Sequence, residues 1–354
     1  MPENFIYSPI LKAKEGEFKG LEVTKPEILD QIIPIFEIVN IPWDFEEETE
    51  KKSIEKHLEN INNKIFNSIG YRKFYVDSRY IDEDRTMSNG IHHLQYLFNS
   101  FDLLDLNGIP VTSLTKDNSY KAAVSEIVNL NRRGMCLRLE KEEILSGELN
   151  NNLENFLIEY EINPENVDLV IDLKNISFSD RQLYNNNLYT IINNITQLNN
   201  WRNIILSATS FPENLSEITA DTLDNIERTE WIYFNEIKHL FNRNIVFSDY
   251  STFNSETTEI DPRFIQMSAN VRYTYNDYWL IARGKSVRTH TFSQYYSLCK
   301  KIVERHEYMG NDYSWGDARI YDCANQISKT GNATTWKQVA NNHHIEFVVN
   351  QLSS

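Results

Sequence analysis

Short apolar runs that end on a charged or hydroxyl residue constrain the fold of this chain more than any other feature of its sequence. The plainest is Asp168–Leu173, an uninterrupted run that is typical of a strand buried on both faces of a sheet. Other runs follow the same design along the chain. They are Tyr7–Lys12, Ile32–Glu37, Lys73–Asp77, Ile109–Thr112, Gly134–Arg138, Asn203–Ser207 and Asn244–Asp249.

These eight runs lie roughly 34 residues apart on average, and helical patterns separate most of them. The alternation predicts an α/β fold, and eight units predict a (β/α)8 TIM-type barrel, which takes roughly 250 residues. The chain has 354 residues and therefore exceeds one barrel. We predict a barrel over residues 1–262 and an appended C-terminal α+β region over residues 263–354, where aromatic strand-like segments replace the alternating pattern.

Bulk composition excludes several classes of partner. The formal net charge of −16 argues against nucleic acid, because contacts to phosphate groups require Lys and Arg. No run approaches the roughly 20 apolar residues of a membrane-spanning helix, and no basic and then apolar leader is visible, so we expect a cytosolic protein without membrane contact. Cys136, Cys299 and Cys323 have no paired spacing, which indicates free thiols in a reducing compartment.

The carboxyl ends of barrel strands meet at one rim, where barrel enzymes place their chemistry. Four runs bring carboxylates to this rim: Glu37, Asp77, Asp172 and Asp249. Converging carboxylates suit acid–base catalysis or coordination of Mg²⁺ or Mn²⁺, although the sequence identifies no cofactor. In the alternative interpretation they form salt bridges with nearby basic residues and close the top of the barrel structurally.

Basic and hydroxyl residues are expected at the same rim. Lys12, Lys14 and Arg138 are candidates to bind a phosphate or carboxylate, since Arg offers two parallel donors. Ser207, which ends the seventh run, is a further candidate to bind this ligand. The alternative role of the three cations is to neutralise the rim carboxylates. A rim of mixed charge suits a small charged ligand better than a polymer.

The C-terminal region adds three candidates. Arg272 and Arg283 lie on predicted strands and would reach over the rim if this region folded back as a lid. His343, or its neighbour His344, is a candidate general base or metal ligand. Because no further ligand follows at helical spacing, we assign no metal site. The alternative is a histidine satisfied inside a small core.

Several catalytic motifs are absent from the sequence. It contains no GxxxxGK[ST], no GxGxxG after a strand, no GxSxG and no CxxC pair. P-loop, Rossmann, hydrolase and zinc-ribbon chemistry therefore lack support.

A set of segments, taken in order, carries a family resemblance. The segments are Tyr7–Glu17, Ile33–Glu37, Arg228–Trp231, Phe247–Tyr250, Arg272–Thr274, Trp279–Gly284, Trp315–Asp317, Gly331–Trp336 and Asn342–His344. Together they resemble the "beta protein" family of bacteria and phages. Ser248 stands where the resemblance leads us to expect Gly. The resemblance implies a barrel and a setting in phage genomes or antiviral defence loci, and it implies no reaction.

Two functions remain open, and the sequence does not decide whether the chain is an enzyme. The first is a rim site for a small charged ligand, such as a phosphate ester or nucleotide. The second is a non-catalytic module whose aromatic C-terminal region docks a partner protein. A concave pocket at the rim carboxylates would favour the first, and a rim filled by side chains would favour the second.

Overall fold

The computed structural model describes residues 5–177, 179, 188–256 and 267–354. The strands are β1 Ile10–Lys12, β2 Ile35–Glu37, β3 Trp43–Asp44, β4 Thr49–Glu50, β5 Phe74–Asp77, β6 Gly108–Thr112, β7 Met135–Glu140, β8 Val167–Asn175, β9 Asn203–Thr209, β10 Thr222–Glu227, β11 Val246–Ser248, β12 Ser268–Tyr275 and β13 Tyr278–Ser286. The α-helices are α1 Glu15–Glu22, α2 Pro26–Leu29, α3 Ile54–Leu58, α4 Ile61–Ile69, α5 His93–Asp102, α6 Asn118–Asn131, α7 Lys141–Ile144, α8 Leu149–Glu159, α9 Thr229–Ile237, α10 Val287–His290, α11 Tyr295–Val303, α12 Trp315–Ala324 and α13 Ala333–Ser353.

Eight strands form one parallel sheet in the order β1-β2-β5-β6-β7-β8-β9-β11, and each predicted run supplies one of them. The last strand also returns to the first. The Ser8 amide donates to the Phe247 carbonyl at 2.9 Å, and the Ile10 amide donates to the Asp249 carbonyl at 2.8 Å. The sheet is therefore nearly closed, and the architecture is that of a TIM-like barrel.

The barrel has an apolar interior and an apolar outer layer, because successive side chains of a strand face opposite sides. The interior cluster includes Ile10, Ile35, Tyr75, Cys136, Val170 and Ile205. The outward-facing residues pack against the surrounding helices in a larger cluster. Burial on both faces explains why the strands read as continuous apolar runs.

One predicted helix is interrupted in the structure. The apolar pattern predicts a helix over Glu46–Ile69, but this stretch contains the β4 strand and two short helices, α3 and α4. The break falls at Asn60, whose φ is +65°. The apolar residues on both sides of it, such as Leu58 and Ile61, are still buried. Because the apolar residues keep a helical spacing on both sides of Asn60, the spacing alone does not reveal that the helix is interrupted there.

The C-terminal part of the chain forms a three-stranded antiparallel sheet in the order β10-β13-β12. The helices α11, α12 and α13 share an apolar cluster with this sheet. The β10 strand, which the sequence did not predict, comes from between barrel strands β9 and β11 and pairs with β13. The two halves of the chain thus share a sheet. The division at residue 262 lies outside the described residues and stays a prediction. The sequence Ser177–Asp180 also predicts the start of a helix after β8, and this stays a prediction because Phe178 and Asp180 are not described.

The C-terminal helix α13 lies between α1 on the barrel and strand β12. Its middle, from Val339 to Val349, is buried throughout. Two glycines of α1 allow the close approach, because a Cβ on Gly16 would lie 2.7 Å from the Lys337 Cβ, and one on Gly20 would lie 3.0 Å from the Asn341 Cβ. The helix therefore connects the barrel to the C-terminal sheet.

Candidate functional site

A layer of polar side chains lies directly above the apolar interior of the barrel. Each residue of this polar layer lies two positions after an interior residue of the same strand, as Glu37 does after Ile35 and Asp172 does after Val170. Side chains two apart face the same side of a strand, which brings the polar residues together at the rim. The residues of this layer are Lys12, Glu37, Asp77, Arg138, Asp172 and Ser207.

Arg138 is the centre of the layer and donates five hydrogen bonds. Its Nε and Nη2 bind one oxygen of Asp172 at 2.9 and 2.7 Å. Its Nη1 binds Glu37 at 2.8 Å and Asp77 at 2.7 Å. Its Nη2 also donates to the Tyr250 hydroxyl at 2.7 Å, and that hydroxyl donates to Asp172 at 2.7 Å. We call these five residues the Arg138 network.

The Arg138 network is buried, and its charges depend on one another. Burial alone would lower the pKa of Arg138, but Tyr250 and the three carboxylates hold it well above its usual value. Burial would likewise raise the pKa of Asp77, but Arg138 together with Arg79 and Lys116 outweighs burial, so the pKa is lowered. All five guanidinium hydrogens are used, so Arg138 in this arrangement has no donor left for a ligand.

A second ring of charges surrounds the network on its solvent side. Lys12 donates to Glu37, to the Tyr80 hydroxyl at 2.7 Å and to the Ser255 carbonyl at 3.3 Å. Arg79 forms an ion pair with Glu140. Lys12 and Arg138, the buried rim cations predicted to bind an anionic ligand, are therefore both already bound to protein groups.

A pocket of about 310 Å³ opens beside the network, between the ends of β5, β6 and β7. We call it the rim pocket. It reaches Asp77 and Arg138 at its base, and its lining holds five carboxylates and three cations. The lining residues are Asp77, Arg79, Glu83, Val111, Thr112, Ser113, Thr115, Lys116, Arg138, Glu140, Glu142 and Glu143.

The cations of the rim pocket are engaged by protein carboxylates. Lys116 lies 3.0 Å from Glu83, and Arg79 pairs with Glu140. Glu143 differs, because its partners are backbone amides. It accepts from the Glu140 amide at 2.8 Å and interacts with the Leu114 amide, and among the described residues it forms no ion pair. Burial raises the pKa of Glu143, and the Glu140 charge adds to the rise.

Asp249, expected at the rim, lies outside the barrel. It follows β11, where Tyr250 instead points inward to the Arg138 network. Asp249 accepts from the Tyr7 hydroxyl at 2.6 Å and lies 2.9 Å from Nε2 of His344. Neighbouring residues of an extended chain face opposite sides, so only one of the two can reach the axis.

His343 lies in the C-terminal region and does not reach the rim. Its Nδ1 is 2.8 Å from Asp317, its Nε2 is 2.8 Å from the Thr274 carbonyl, and its ring stacks on Tyr273. The side chain is fully buried. This placement matches the alternative interpretation of a histidine satisfied inside a core.

The remaining candidates are spread over the structure. Arg272 lies between the rings of Phe211 and Phe253 and donates to the Thr252 carbonyl at 2.6 Å. Arg283 donates to the Ser216 carbonyl at 3.1 Å. Neither arginine contacts the Arg138 network. Lys14 is exposed at the start of α1. Ser207 is buried next to Asp172 in the sheet, and its hydroxyl has no hydrogen-bond partner among the described residues.

The loop residues of the rim pocket were not predicted from the sequence. Arg79 and Lys116 follow barrel strands by two and four residues, and Glu143 lies on the short helix α7. Their nearness to predicted strand ends was a usable signal, since the loops after barrel strands build such sites. Their orientation, however, depends on loop conformations that no apolar pattern specifies.

The described residues contain no group of three or more His, Cys, Asp or Glu side chains arranged to hold a metal ion. Within the same ranges, no helix is long and apolar enough to cross a membrane. Of the rim carboxylates, Glu37, Asp77 and Asp172 are bound to Arg138.

The fold and the rim place the protein among the α/β barrel proteins that carry charged residues at the carboxyl ends of the barrel strands. The sequence profile of a family described as Beta protein matches residues 7–350, nearly the whole chain. The chain therefore belongs to the Beta protein family, as the resemblance indicated. Among curated proteins, no significant match to the chain is found.

Proposed function

We propose that the rim pocket binds a small polar ligand that presents a positively charged group to Glu142 and Glu143. The observation that carries this proposal is the half-buried Glu143 carboxylate in the rim pocket, which has backbone amides but no cation among the described residues as partners. A partly buried carboxylate without a counter-charge costs free energy, and a cationic group of a ligand would supply that charge.

The charge of the pocket supports a cationic group over a phosphate. Five carboxylates face three cations, and each of these cations already has a carboxylate partner. A phosphate would have to break those ion pairs and would lie among the remaining carboxylates. An amine or guanidinium would instead add donors where acceptors are in excess. The phosphorylated ligand considered from the sequence is therefore the less favoured form of this proposal.

The alternative function, a non-catalytic docking module, has one supporting observation. The Arg138 network fills the barrel axis, as expected of a structural closure. The aromatic residues proposed as its docking surface, however, include Trp279, Trp336 and Tyr273, and these are buried in the C-terminal region. The cytosolic location and the phage or antiviral setting remain proposals that rest on the sequence and its resemblance.

Thermal melting tests the proposal with a ligand panel of spermidine, agmatine and arginine against inorganic phosphate, a nucleoside monophosphate and Mg²⁺. A ligand that binds the folded state raises the melting temperature, and we expect at least one cationic probe to raise it by roughly 3 °C or more when present far above its Kd. The expected shift is lost in Glu143→Gln, which keeps the shape of the side chain and removes its charge.

The matched control is Glu304→Gln, because Glu304 is an exposed glutamate of the C-terminal region far along the chain from the rim pocket. It should show the full wild-type shift. A shift with phosphate or the nucleotide alone would contradict the proposed ligand charge. A cationic shift that survives unchanged in Glu143→Gln would move the site elsewhere.

A further inference from the structure

A second cavity adjoins the rim pocket at the start of α7. It has a volume of about 390 Å³ and shares Thr115, Glu142 and Glu143 with the rim pocket, so the two spaces meet along a common wall. We call it the α8 cavity, because α8 supplies its opposite wall. Its lining residues are Leu114, Thr115, Glu142, Glu143, Ser146, Asn152, Asn155, Phe156 and Glu159.

One face of α8 forms the opposite wall of this cavity. Asn152, Asn155, Phe156 and Glu159 follow one another at helical spacings of three and four residues, which places their side chains on one face. Phe156 is almost fully buried, and its ring packs on the Tyr160 ring with the two centroids 4.8 Å apart. The exposed Asn152 and Asn155 carry amide donors and acceptors. The wall therefore has a fixed apolar base and a polar edge.

The charges of the α8 cavity are concentrated on the wall that it shares with the rim pocket. Glu159, on the opposite wall, accepts from the Lys121 ammonium group through both carboxylate oxygens, each at 2.9 Å. Glu142 and Glu143, on the shared wall, form no ion pair with any described residue. One cationic group at the shared wall would therefore meet the carboxylates that lack a counter-charge, and a second cation deeper in the α8 cavity would meet none.

We propose that the ligand is a monocation with an uncharged body, whose charged group lies at Glu142 and Glu143 and whose body extends into the α8 cavity. The body would lie over Leu114 and Phe156 and end in a hydroxyl or amide group toward Ser146, whose hydroxyl is buried without a hydrogen-bond partner among the described residues. This inference rests on the function proposed above and names its ligand class, an amine or guanidine on a largely apolar body.

The rim pocket itself is less suited to such a body. Beyond the shared wall, its lining includes the ion pairs Arg79–Glu140 and Lys116–Glu83. An apolar group placed against these pairs would remove water from them without supplying a hydrogen bond, which costs free energy. The α8 cavity offers apolar surface instead, and its volume is within the range of roughly 300–1,000 Å³ that is common for small-molecule sites.

The test compares three amines that share an aminoethyl group: ethylamine, tyramine and butane-1,4-diamine. Their dissociation constants are measured by titration calorimetry with the full-length protein. Because tyramine adds an aromatic body and a hydroxyl, we expect it to bind about tenfold or more tightly than ethylamine. It should also bind more tightly than the diamine, whose second charge finds no free carboxylate in the α8 cavity. All binding should weaken in Glu143→Gln.

A variant of the apolar base checks where the body lies. Leu114 is half-buried, and Leu114→Ala should reduce the preference for tyramine over ethylamine to about threefold or less. The matched control is Leu130→Ala, because Leu130 is an exposed leucine at the end of α6 and does not line either space. It should keep the wild-type preference.

The possible failures of this inference and of the cation site are distinct. Equal affinity of the wild type for the three amines, with all of it lost in Glu143→Gln, would overturn the placement of the body and leave the cation site standing. Tighter binding of the diamine than of tyramine, or an unchanged preference in Leu114→Ala, would overturn the inference in the same way. Absence of binding by every amine, or equal binding by Glu143→Gln, would overturn both proposals.

Discussion

Replacing Arg138 with methionine is expected to destabilise the protein by about 3–5 kcal/mol, because removal of one partner leaves buried charges uncompensated. Glu37, Asp77 and Asp172 would remain close together inside the rim without the guanidinium that they share. Methionine matches much of the arginine volume, so the loss would report the missing charge and its hydrogen bonds rather than a cavity.

Denaturant unfolding at several pH values measures this effect. In the wild type, Arg138 lowers the pKa of Asp77, so the stability from this carboxylate is present above its unfolded-state pKa and is lost as the pH falls. In the variant the buried carboxylates lack that partner and favour protonation, so the difference between the two proteins should shrink toward about pH 4. Lys121→Ala, an exposed-pair control on α6, should change little. A loss for Arg138→Met below about 1 kcal/mol at neutral pH would refute the structural role of the network.

Ending the chain at residue 332 is expected to abolish cooperative folding of the barrel as well as of the C-terminal region. The deletion removes α13, whose buried residues include Trp336, Val339, Ile345, Val348 and Val349. Burial of each large apolar side chain contributes about 1.5–3 kcal/mol, and the sum approaches or exceeds the roughly 5–15 kcal/mol stability of a typical protein.

The truncation would also expose the α1 surface around Gly16 and Gly20 and remove the His344 contact to Asp249. Circular dichroism and thermal melting would show the loss as a broad transition or an insoluble product. A chain that ends at residue 352 keeps these contacts and should melt as the wild type does. A truncated barrel with a sharp, reversible transition would contradict the view that α13 stabilises both parts.

Much of the barrel and of its rim follows from the sequence. Each apolar run became one strand because a strand buried on both faces must be apolar throughout. Alternation then placed Lys12, Glu37, Asp77, Arg138 and Asp172 at one level of the axis. Their association as an ion network was one of the two interpretations that the residue types allowed.

Other features depend on information that no local pattern carries. Asp249 and Tyr250 are adjacent, and a shift of one residue decides which of them faces the axis. The helix α13 carries the polar residues Asn342, His343 and Glu346 at buried positions. Polar residues normally indicate an exposed surface. Their burial here depends on hydrogen-bond partners from distant segments of the chain, which the local sequence does not show. The loop cations Arg79 and Lys116 depend in the same way on loop conformation.

Titration calorimetry of agmatine into the wild type and into Glu143→Gln tests whether the rim pocket binds a cationic group at Glu143. Burial raises the pKa of Glu143, and a bound cation favours its ionised form. Binding of agmatine should therefore release protons, and its affinity should rise as the pH rises through the raised pKa of Glu143. Glu143→Gln should weaken agmatine binding by about tenfold or more, which corresponds to the loss of one charge-assisted hydrogen bond. Equal affinity for the two proteins, or binding of inorganic phosphate in place of agmatine, would rule out a cation site at Glu143.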